Sequence, residues 1–491
     1  MNNKNENRLV KRNTLILGAG KAGKLLAEDI QNKQNLTFNI VGFLDDNTET
    51  GSRVAGLPVL GKLKEIKQMV SKYGVKEIIV SMPSANGQII RSVVEDSKEL
   101  QLNYKILPRT SEVLLQDFSK DYVHHLRDLE VEDLIGGSID KLDLEKVKIE
   151  IKKGVFLITG AAGSIGSELS RQIASYGAKK IIFYDWWENG MFELHNELRS
   201  KYPTGDFEFI IGDIKDAQKI SHVIKKFKPD TIFHAAAYKH VPLMESNGVE
   251  AIKNNIQGTR TVAKAAVLHK VHKFVLVSSD KAVNPTNIMG ATKRASEKMI
   301  HILSESQNTT TFCAVRFGNV MNSNGSVIPI FKRQIESGGP VGVTHKEINR
   351  FFMTIPEAVM LILKAWVIGE NNDLFVLDMG EPIKIYNLAE WMIVLRGLVP
   401  HKDIAIEVIG IRPGEKLYEE VLVEQESVDK TTEHNIFKTR NYMNFDKILF
   451  LNTLAYLEDL MQEGDVERSE IHRYLQKMVT TFSPAKHSAE V

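Results

Sequence analysis

The sequence has little cysteine, little net charge and no long apolar run. Among 491 residues there is a single cysteine, which excludes an internal disulfide framework and any zinc or redox site built on a CxxC pair. The 63 basic and 62 acidic residues leave a formal charge of +1, which excludes a broad electrostatic nucleic-acid binder. No run of 18 or more apolar residues occurs, and the polar start lacks the apolar core of a signal peptide. These absences predict no membrane-spanning helix and favour the reducing cytoplasm.

The remaining composition is that of an ordinary globular protein, with 43% hydrophobic and 25% charged residues. The length predicts two or three domains with a large core. Cys313 lies in the apolar run 312–315, which predicts a buried strand position. His124 and His125 have no third partner at metal-ligand spacing, so no metal site is predicted.

Two segments share a pattern of strand, glycine-rich turn, helix, second strand and acid, which is typical of a dinucleotide-binding unit. In the first segment the strands are predicted over 14–17 and 38–43. A P-loop is excluded because Leu25 stands where magnesium binding requires Ser or Thr. No catalytic cluster follows the turn, so we favour a Rossmann-like domain that binds no dinucleotide for catalysis. The alternative is a second nucleotide site, formed by Gly18, Gly20, Gly23 and Asp45.

The second segment repeats the pattern with a wider first gap in its glycine turn. A strand over 155–159 precedes the turn, and a strand over 180–185 follows the helix. The glycines allow a tight turn, a close approach of the backbone to a pyrophosphate and close helix packing, and the free N–H groups of the helix start would face the phosphates. The cofactor-binding residues predicted from this turn are Gly160, Gly163, Ser164, Ile165 and Gly166.

Two acids and three alanines extend the predicted cofactor site. Asp185 ends the strand after the helix, where a carboxylate can bind both ribose hydroxyls of an adenosine. The next residues, Trp186 and Trp187, cannot meet a 2′-phosphate as Arg or Lys would, so NAD is favoured over NADP. Asp213 follows the third strand beside Ile214 and is predicted to contact adenine or, alternatively, to cap the next helix. Small side chains that would let the backbone approach the cofactor are those of Ala235, Ala236 and Ala237.

Candidate catalytic residues lie between 278 and 294. These residues come directly after a strand predicted over 273–277. In a sugar-modifying short-chain dehydrogenase, Ser or Thr follows the equivalent strand, and a Tyr-x-x-x-Lys pair shares one face of the next helix. Lys293 is present, but Met289 occupies the Tyr position and cannot exchange protons, which weakens the prediction of a ketoreductase or 4-epimerase. Asp280 and Lys281 are an acid and a base at the carboxyl edge of the predicted sheet. A dehydratase needs such a pair, since a base removes the C5 proton of a 4-keto sugar and an acid protonates the departing C6 hydroxyl.

Strands alternate with helices along most of the chain, which predicts an α/β fold with two Rossmann-like, doubly wound parallel-sheet domains. The predicted organisation is a disordered tail over 1–12, an N-terminal Rossmann-like domain over 13–130, a connector over 131–150, a cofactor-binding catalytic domain over 151–320, a substrate-binding region over 321–481 and a tail over 482–491.

Eight motifs carry a family resemblance from about residue 13 to about residue 440. They are GAAGSIGSE at 160–168, HAAAYKHVP at 234–242, SDKAVNP at 279–285, MGATKR at 289–294, RFGNV at 316–320, GSVIP at 325–329, RFFMT at 350–354 and RPGEK at 412–416. With them the chain resembles the CapD-like family of polysaccharide-biosynthesis proteins, whose members are UDP-N-acetylglucosamine 4,6-dehydratases. The resemblance implies that the second domain is an extended short-chain dehydrogenase with a small C-terminal substrate-binding region.

The resemblance also implies roles for individual residues. Asp280 would be the general acid, Lys281 the C5 base and Lys293 the anchor of the cofactor ribose. Ser279, where the family usually has Thr, would bind the C4 oxygen, and Met289 is typical of the large members. The acceptor of the C4 hydroxyl proton is either a water relay or Lys281. Substrate contacts are implied for Lys239, His240, Asn319, Arg350, Arg412 and Glu415.

One departure from the family concerns the membrane. Large members usually begin with membrane helices, so this chain is expected to be either a form without that anchor or a chain that starts after it. We expect a homo-oligomer in the cytoplasm, or at the inner face of the membrane as a peripheral protein, with a UDP-sugar as substrate and no nucleic-acid partner.

The leading interpretation is an NAD-dependent UDP-GlcNAc 4,6-dehydratase, with NADP as the alternative cofactor. Its product, a UDP-2-acetamido-2,6-dideoxy-hexos-4-ulose, would serve capsule, O-antigen or protein-glycan synthesis. The alternatives are a dehydratase that also inverts C5, a nucleotide-sugar 4-epimerase, and a non-enzymatic scaffold that senses sugar nucleotides.

Overall fold

The structure is a computed structural model that describes residues 11–33, 36–83, 85, 87–108, 122–136, 144–420, 427–440, 444–464 and 466–484. The chain divides into two compact units. The first unit comprises Met1–Lys141, Ile330–Lys346 and Lys384–Ile409. The second comprises Leu142–Pro329, Glu347–Ile383 and Gly410–Val491. Two stretches of the predicted substrate-binding region are therefore grouped with the N-terminal domain.

The first unit is built on a seven-stranded sheet. Its inner strands pair in parallel, as a doubly wound fold requires, and only the two edge strands are antiparallel. The strands predicted over 14–17 and 38–43 are both present, within Arg12–Leu17 and Phe38–Leu44. The strand order across the sheet is Arg53–Val54, Leu57–Gly61, Phe38–Leu44, Arg12–Leu17, Glu77–Val80, Asn103–Ile106 and Arg127–Asp128.

The first helix of the first unit is amphipathic and packs on this sheet. In the helix Lys21–Asn32 the residues Gly23, Leu26, Ala27 and Ile30 recur at helical spacing and are buried, so one face packs in the core. The other helices are Ile66–Tyr73, Gly87–Asp96, Val131–Ile135, Ile385–Val394 and most of Val327–Glu336. A separate parallel pair joins the strands Val341–Val343 and Ile406–Val408.

The second unit contains a nine-stranded sheet. Its first seven strands are parallel, and the last two add an antiparallel edge. The central strands are buried on both faces, which explains why they read as continuous apolar runs. The spatial order is Phe207–Ile211, Lys180–Asp185, Val155–Thr159, Thr231–His234, Lys273–Val277, Thr311–Arg316, Asp373–Leu377, Ile436–Arg440 and Ser427–Lys430. Cys313 lies in one of these strands and is buried, as predicted.

Helices cover both faces of the second sheet. They are Glu145–Lys153, Ser164–Ser175, Glu188–Lys201, Ala217–Phe227, Val241–Ser246, Gly248–Ala251, Thr259–Leu268, Ile288–Glu305, Ile355–Ile368, Lys447–Glu463 and Arg468–Met478. A π-helical stretch, Ile252–Gly258, links two of them. The helix Ile288–Glu305 is buried almost throughout, and the two C-terminal helices pack in the same apolar cluster.

The predicted C-terminal tail differs in detail from the structure. The predicted tail begins at 482, but Phe482 is only 4% exposed and packs in the cluster around Ile288–Glu305. Ser483 N also donates to Pro285 O at 3.0 Å, so the start of the predicted tail packs against the second unit. Residues 485–491 lie outside the described residues. In the described parts of the chain, no helix is long and apolar enough to cross a membrane.

Candidate active site

The glycine turn of the second unit has the backbone geometry that the sequence predicts. Gly160 adopts a φ of +70°, and a Cβ there would lie 2.6 Å from Ala236 N. A Cβ on Gly166 would lie 1.9 Å from Gly160 O, so the helix packs directly against the turn. Gly163 is the N-cap of the helix Ser164–Ser175, with no side-chain cap on its N–H groups. The turn therefore presents backbone donors at the carboxyl edge of the sheet, beside Ala235–237.

The two acids predicted to bind the adenosine are both engaged with the backbone. Asp185 accepts from Ala162 N at 3.0 Å and from Trp187 N at 2.9 Å. Burial raises the pKa of Asp185 more than these donors lower it. Asp213 accepts from Lys215 N at 2.8 Å and pairs with Lys215 Nζ at 3.4 Å, while its neighbour Ile214 is buried. Each carboxylate oxygen still has a lone pair for a ligand hydroxyl.

The acid–base pair lies where the strand Lys273–Val277 ends, in a 3₁₀ turn over Asp280–Ala282. Ser279 is the N-cap of this turn, and its Oγ donates to Asp280 Oδ1 at 2.8 Å. Lys281 Nζ also donates to Asp280 Oδ1, at 3.1 Å. The Asp280 side chain is fully buried, and its Oδ2 has no hydrogen-bond partner among the described residues. Such an oxygen is costly to leave unpaired, so the site is built to receive a donor there.

Two further residues fix the Lys281 ammonium group. Nζ donates to Asn319 Oδ1 at 3.1 Å and lies 3.6 Å from a carboxylate oxygen of Glu419. Burial alone would lower the pKa of Lys281, but the carboxylates of Asp280 and Glu419 outweigh it and raise the pKa. The predicted substrate residue Asn319 thus joins the acid–base pair, and Lys281 is held as a cation.

Lys239 and His240 follow the strand Thr231–His234, and both are exposed. Desolvation of the Lys239 amine by the surrounding protein and the charge of Lys281 lower the pKa of Lys239. The pKa of Lys281, in contrast, is raised. Burial and the charge of Lys239 also lower the pKa of His240. Asn255 fixes this loop, because it donates to Tyr238 O at 3.0 Å and accepts from Tyr238 N at 2.8 Å. Asn255 lies in the π-helical stretch Ile252–Gly258, and such distortions of a helix are frequent at functional sites.

The structure separates the predicted roles of Met289 and Lys293. Met289 is only 2% exposed and packs in the apolar cluster around its helix, so its side chain contributes no polar group. Lys293 Nζ donates to Val277 O at 2.7 Å, which leaves further N–H donors for a ribose. Burial lowers the pKa of Lys293 to about 8.

The predicted substrate residues Arg350, Glu415 and Arg412 form one ion-pair network. Arg350 Nη2 lies 3.2 Å from Glu415 Oε1 and donates to Lys416 O at 2.7 Å. Arg412 Nε lies 3.3 Å from Glu415 Oε2, while the Arg412 side chain is 52% exposed. The network therefore joins a buried guanidinium to an exposed one, which remains free to turn toward an anionic ligand.

The glycine turn of the first unit has a similar local geometry, and no acid–base pair follows it among the residues that the structure describes in this unit. Asp45 accepts from Ala19 N at 2.7 Å, from Asn47 N at 2.8 Å and from Thr48 N at 2.7 Å. Burial would raise the pKa of Asp45, but these backbone donors lower it below its ordinary value. The second nucleotide site at Gly18, Gly20, Gly23 and Asp45 stays a prediction.

Sequence reasoning missed Glu419 and Asn255. Glu419 is one of two adjacent glutamates, and nothing in the sequence indicates which of them turns inward. Asn255 lies in a helical stretch, where an amide side chain predicts an exposed position, yet it is buried. Among the described residues, no group of three or more His, Cys, Asp or Glu side chains could hold a metal ion.

Comparison with known proteins shows the family to which the chain belongs. The family model for "polysaccharide biosynthesis protein" matches residues 156–441, and one for "CoA-binding domain" matches residues 4–108. The capsular polysaccharide biosynthesis protein CapD of Staphylococcus aureus is 42% identical over 94% of this chain and 76% of its own. An inverting UDP-N-acetylglucosamine 4,6-dehydratase of Campylobacter jejuni is 33% identical over 58% of this chain and 80% of its own.

Two other matches cover little more than half of the chain. A UDP-glucose 4-epimerase of Rickettsia bellii is 36% identical over 55% of this chain and 78% of its own. The solved structure of Pen from Bacillus thuringiensis is 34% identical, with a TM-score of 0.55, and covers 60% of this chain and 90% of that one. Both a dehydratase and an epimerase are therefore among the relatives.

Proposed function

Because the chain belongs to the CapD-like family of polysaccharide biosynthesis proteins, we propose that it is an NAD-dependent nucleotide-sugar 4,6-dehydratase acting on UDP-GlcNAc. One observation carries the proposal: the buried Asp280 carboxylate shares a hydrogen bond with Lys281 and has a second oxygen without a partner among the described residues. An acid and a base in contact at the sheet edge fit the removal of water from a sugar.

The residues of the glycine turn fit NAD. A side chain at Gly160 or Gly166 would collide with backbone, and the helix behind Gly163 offers N–H groups for a pyrophosphate. The lone pairs left on Asp185 and the ammonium of Lys293 would hold the two riboses. When bound, NAD would take up and return the electron pair that the sugar loses at C4 and regains at C6.

The chain's own residues would handle the protons. Ser279 would donate to the C4 oxygen, which requires its Oγ to turn away from Asp280. The proton between Lys281 and Asp280 must lie on Asp280 at the moment of reaction, because Lys281 then takes the C5 proton and Asp280 protonates the C6 hydroxyl. Their direct hydrogen bond of 3.1 Å allows that transfer without another group. For the C4 hydroxyl proton the two acceptors remain those expected from the sequence, a water relay or Lys281 itself.

Substrate binding would use the charged side chains around this pair. Arg350 and Arg412 suit the diphosphate because a guanidinium forms paired hydrogen bonds with phosphate oxygens. Glu415, which lies between them, would accept from the uridine ribose. Asn319 would meet the sugar, since it already contacts Lys281. His240 would contact the same ligand from the loop after the strand Thr231–His234.

A 4-epimerase is the second candidate, favoured by the relative of that name. An epimerase needs a proton acceptor for the C4 hydroxyl but no acid at C6. The buried Met289 cannot supply that acceptor, and an acid–base pair would then have no task. We therefore rank the dehydratase first. C5 inversion, a sugar-nucleotide-sensing scaffold, assembly into a homo-oligomer and peripheral attachment to the cytoplasmic side of the membrane stay predictions.

The proposal is tested by incubating the protein with UDP-GlcNAc and no added reductant, and measuring the product by mass spectrometry. Loss of one water is the expected result. An unchanged mass with a galacto-configured sugar would make the protein an epimerase. No conversion, with NAD bound, would contradict the proposed substrate and favour another sugar nucleotide or the scaffold.

A further inference from the structure

Glu419 stands between the acid–base pair and the predicted diphosphate site. Its carboxylate oxygen Oε1 lies 3.6 Å from Lys281 Nζ and 3.5 Å from Arg350 Nε. Its side chain is only 5% exposed, so water screens its negative charge less than it would at the surface, and the charge acts more strongly on its neighbours. Neither cation is far enough from it for solvent to screen the interaction.

The adjacent residue provides a contrast. The Glu420 side chain is 52% exposed and interacts with Asn284 at 3.1 Å and with Lys416 at 3.5 Å. It belongs to the same segment and the same residue type, but its polar contacts within the described part of the chain do not include Lys281 or Arg350. The inward position therefore belongs to Glu419 and not to glutamates of this segment in general.

The charges that face Lys281 show what the carboxylate does. Asp280 and Glu419 supply two negative charges, Arg350 and Lys239 supply two positive ones, and Asn319 is neutral. Without Glu419, one anion and two cations would face Lys281 in a buried setting, and the ammonium form of Lys281 would be disfavoured. With it, Lys281 keeps a proton that can be passed to Asp280.

We propose that Glu419 is a positioning residue that keeps Lys281 protonated and oriented toward Asp280 between turnovers, and that ties this lysine to Arg350. The proposal rests on the proposed function, since the proton on Lys281 matters for catalysis only if this pair removes water from a sugar. Glu419 itself does not touch the reacting atoms in this assignment.

The first test is the pH profile of kcat/KM for water loss from UDP-GlcNAc in Glu419→Gln, with Glu420→Gln as matched control. The basic limb reports the loss of the single proton that the Asp280–Lys281 pair must hold in the free enzyme. Removal of one close negative charge should move that limb down by about one pH unit. Glu420→Gln should leave the limb in place, and Glu419→Asp, which keeps the charge at a longer distance, should move it in the same direction by less.

The second test does not depend on activity. Competitive acetylation at increasing pH, followed by peptide mass spectrometry, gives the midpoint at which the Lys281 amine becomes reactive. The midpoint should fall in Glu419→Gln and stay unchanged in Glu420→Gln. An unchanged Lys281 midpoint in a folded Glu419→Gln protein would overturn the inference. A shifted midpoint in a protein that does not convert UDP-GlcNAc would support the Lys281–Glu419 link and refute the proposed function instead.

Discussion

The two glycine turns, one in each unit, have nearly the same backbone geometry. Gly18 N donates to Leu44 O at 2.9 Å, and Gly160 N donates to Tyr184 O at 2.9 Å. A Cβ on Gly23 would lie 2.0 Å from Gly18 O, and in the second unit the matching distance, from Gly166 to Gly160 O, is 1.9 Å. Each turn is followed by a helix of 12 residues. The turn therefore explains the local fold in both units and does not by itself indicate catalysis.

The difference lies at the carboxyl edges of the neighbouring strands. In the first unit the strand Glu77–Val80 is followed by Ser81, whose hydroxyl donates back to Leu17 O and Gly18 O at 3.0 Å each. In the second unit the strand in the same place, Thr231–His234, is followed by Ala235, and the next strand across the sheet, Lys273–Val277, leads to Asp280 and Lys281. The residues that come after the strands therefore determine the chemistry, and the glycine turn only provides the place for a dinucleotide.

The largest expected effect is the loss of turnover when Asp280 is replaced, compared with a matched replacement of an acid in the first unit. Asp280→Asn should lower the rate of water loss by about 10²–10⁴-fold, because the acid for the C6 hydroxyl is gone, while bound NAD is retained. Asp45→Asn is the matched change in the first unit and should leave turnover close to wild type. The measurement is product formation by mass spectrometry together with NAD content. Wild-type turnover in Asp280→Asn would remove the basis of the assignment.

A second comparison tests which turn holds the cofactor. Gly166→Ala places a methyl group against a backbone carbonyl, so the turn must shift, and NAD should bind about tenfold to a hundredfold more weakly. Gly23→Ala makes the equivalent collision in the first unit and should leave NAD affinity unchanged. Isothermal titration calorimetry of each variant with NAD measures these affinities. Equal losses in the two variants would mean that the turns do not act independently.

The choice between cofactors should show a smaller effect. Asp185 ends its strand where a 2′-phosphate would lie, and the next residues, Trp186 and Trp187, carry no positive charge. A second negative charge beside that carboxylate is repelled, so NADP should bind at least about tenfold more weakly than NAD. Titration of the wild-type protein with each cofactor measures this ratio. Equal affinities would show that Asp185 does not face the adenosine ribose.

The smallest effect concerns stability and pH, where the two acids should behave oppositely. The pKa of Asp45 is lowered, so its stabilisation is present above the unfolded pKa and is lost as pH falls through the folded value. The pKa of Asp185 is raised, so its contribution is present at low pH and is lost as pH rises through the folded value. Asp45→Asn should cost about 1.5–3 kcal/mol near neutrality, the usual value of hydrogen bonds to a charged group.

Denaturant unfolding from pH 3 to pH 7 checks this contrast. The destabilisation by Asp45→Asn should grow as pH rises, and that by Asp185→Asn should shrink. If the destabilisation changed with pH in the same direction for both variants, the pKa values of Asp45 and Asp185 would be shifted in the same direction, which would contradict this contrast.

The sequence predicts local structure well and long-range contacts poorly. Strands, turns and the position of Asp280–Lys281 follow from apolar runs and motifs, which are properties of neighbouring residues. The inward turn of Glu419, and the grouping of Ile330–Lys346 and Lys384–Ile409 with the first unit, depend on contacts across the chain. Phe482 is similar, since its burial depends on a cluster formed by distant helices.

The most direct test of the account is the reaction of the wild-type protein with UDP-GlcNAc in D₂O, followed by NMR and mass spectrometry of the product. If Lys281 and Asp280 remove and replace protons as proposed, the product will have lost one water and will carry solvent deuterium at C5. A product that has lost water but has no deuterium at C5 would contradict a proton-exchanging base at this site, and an unchanged sugar mass would contradict dehydration altogether.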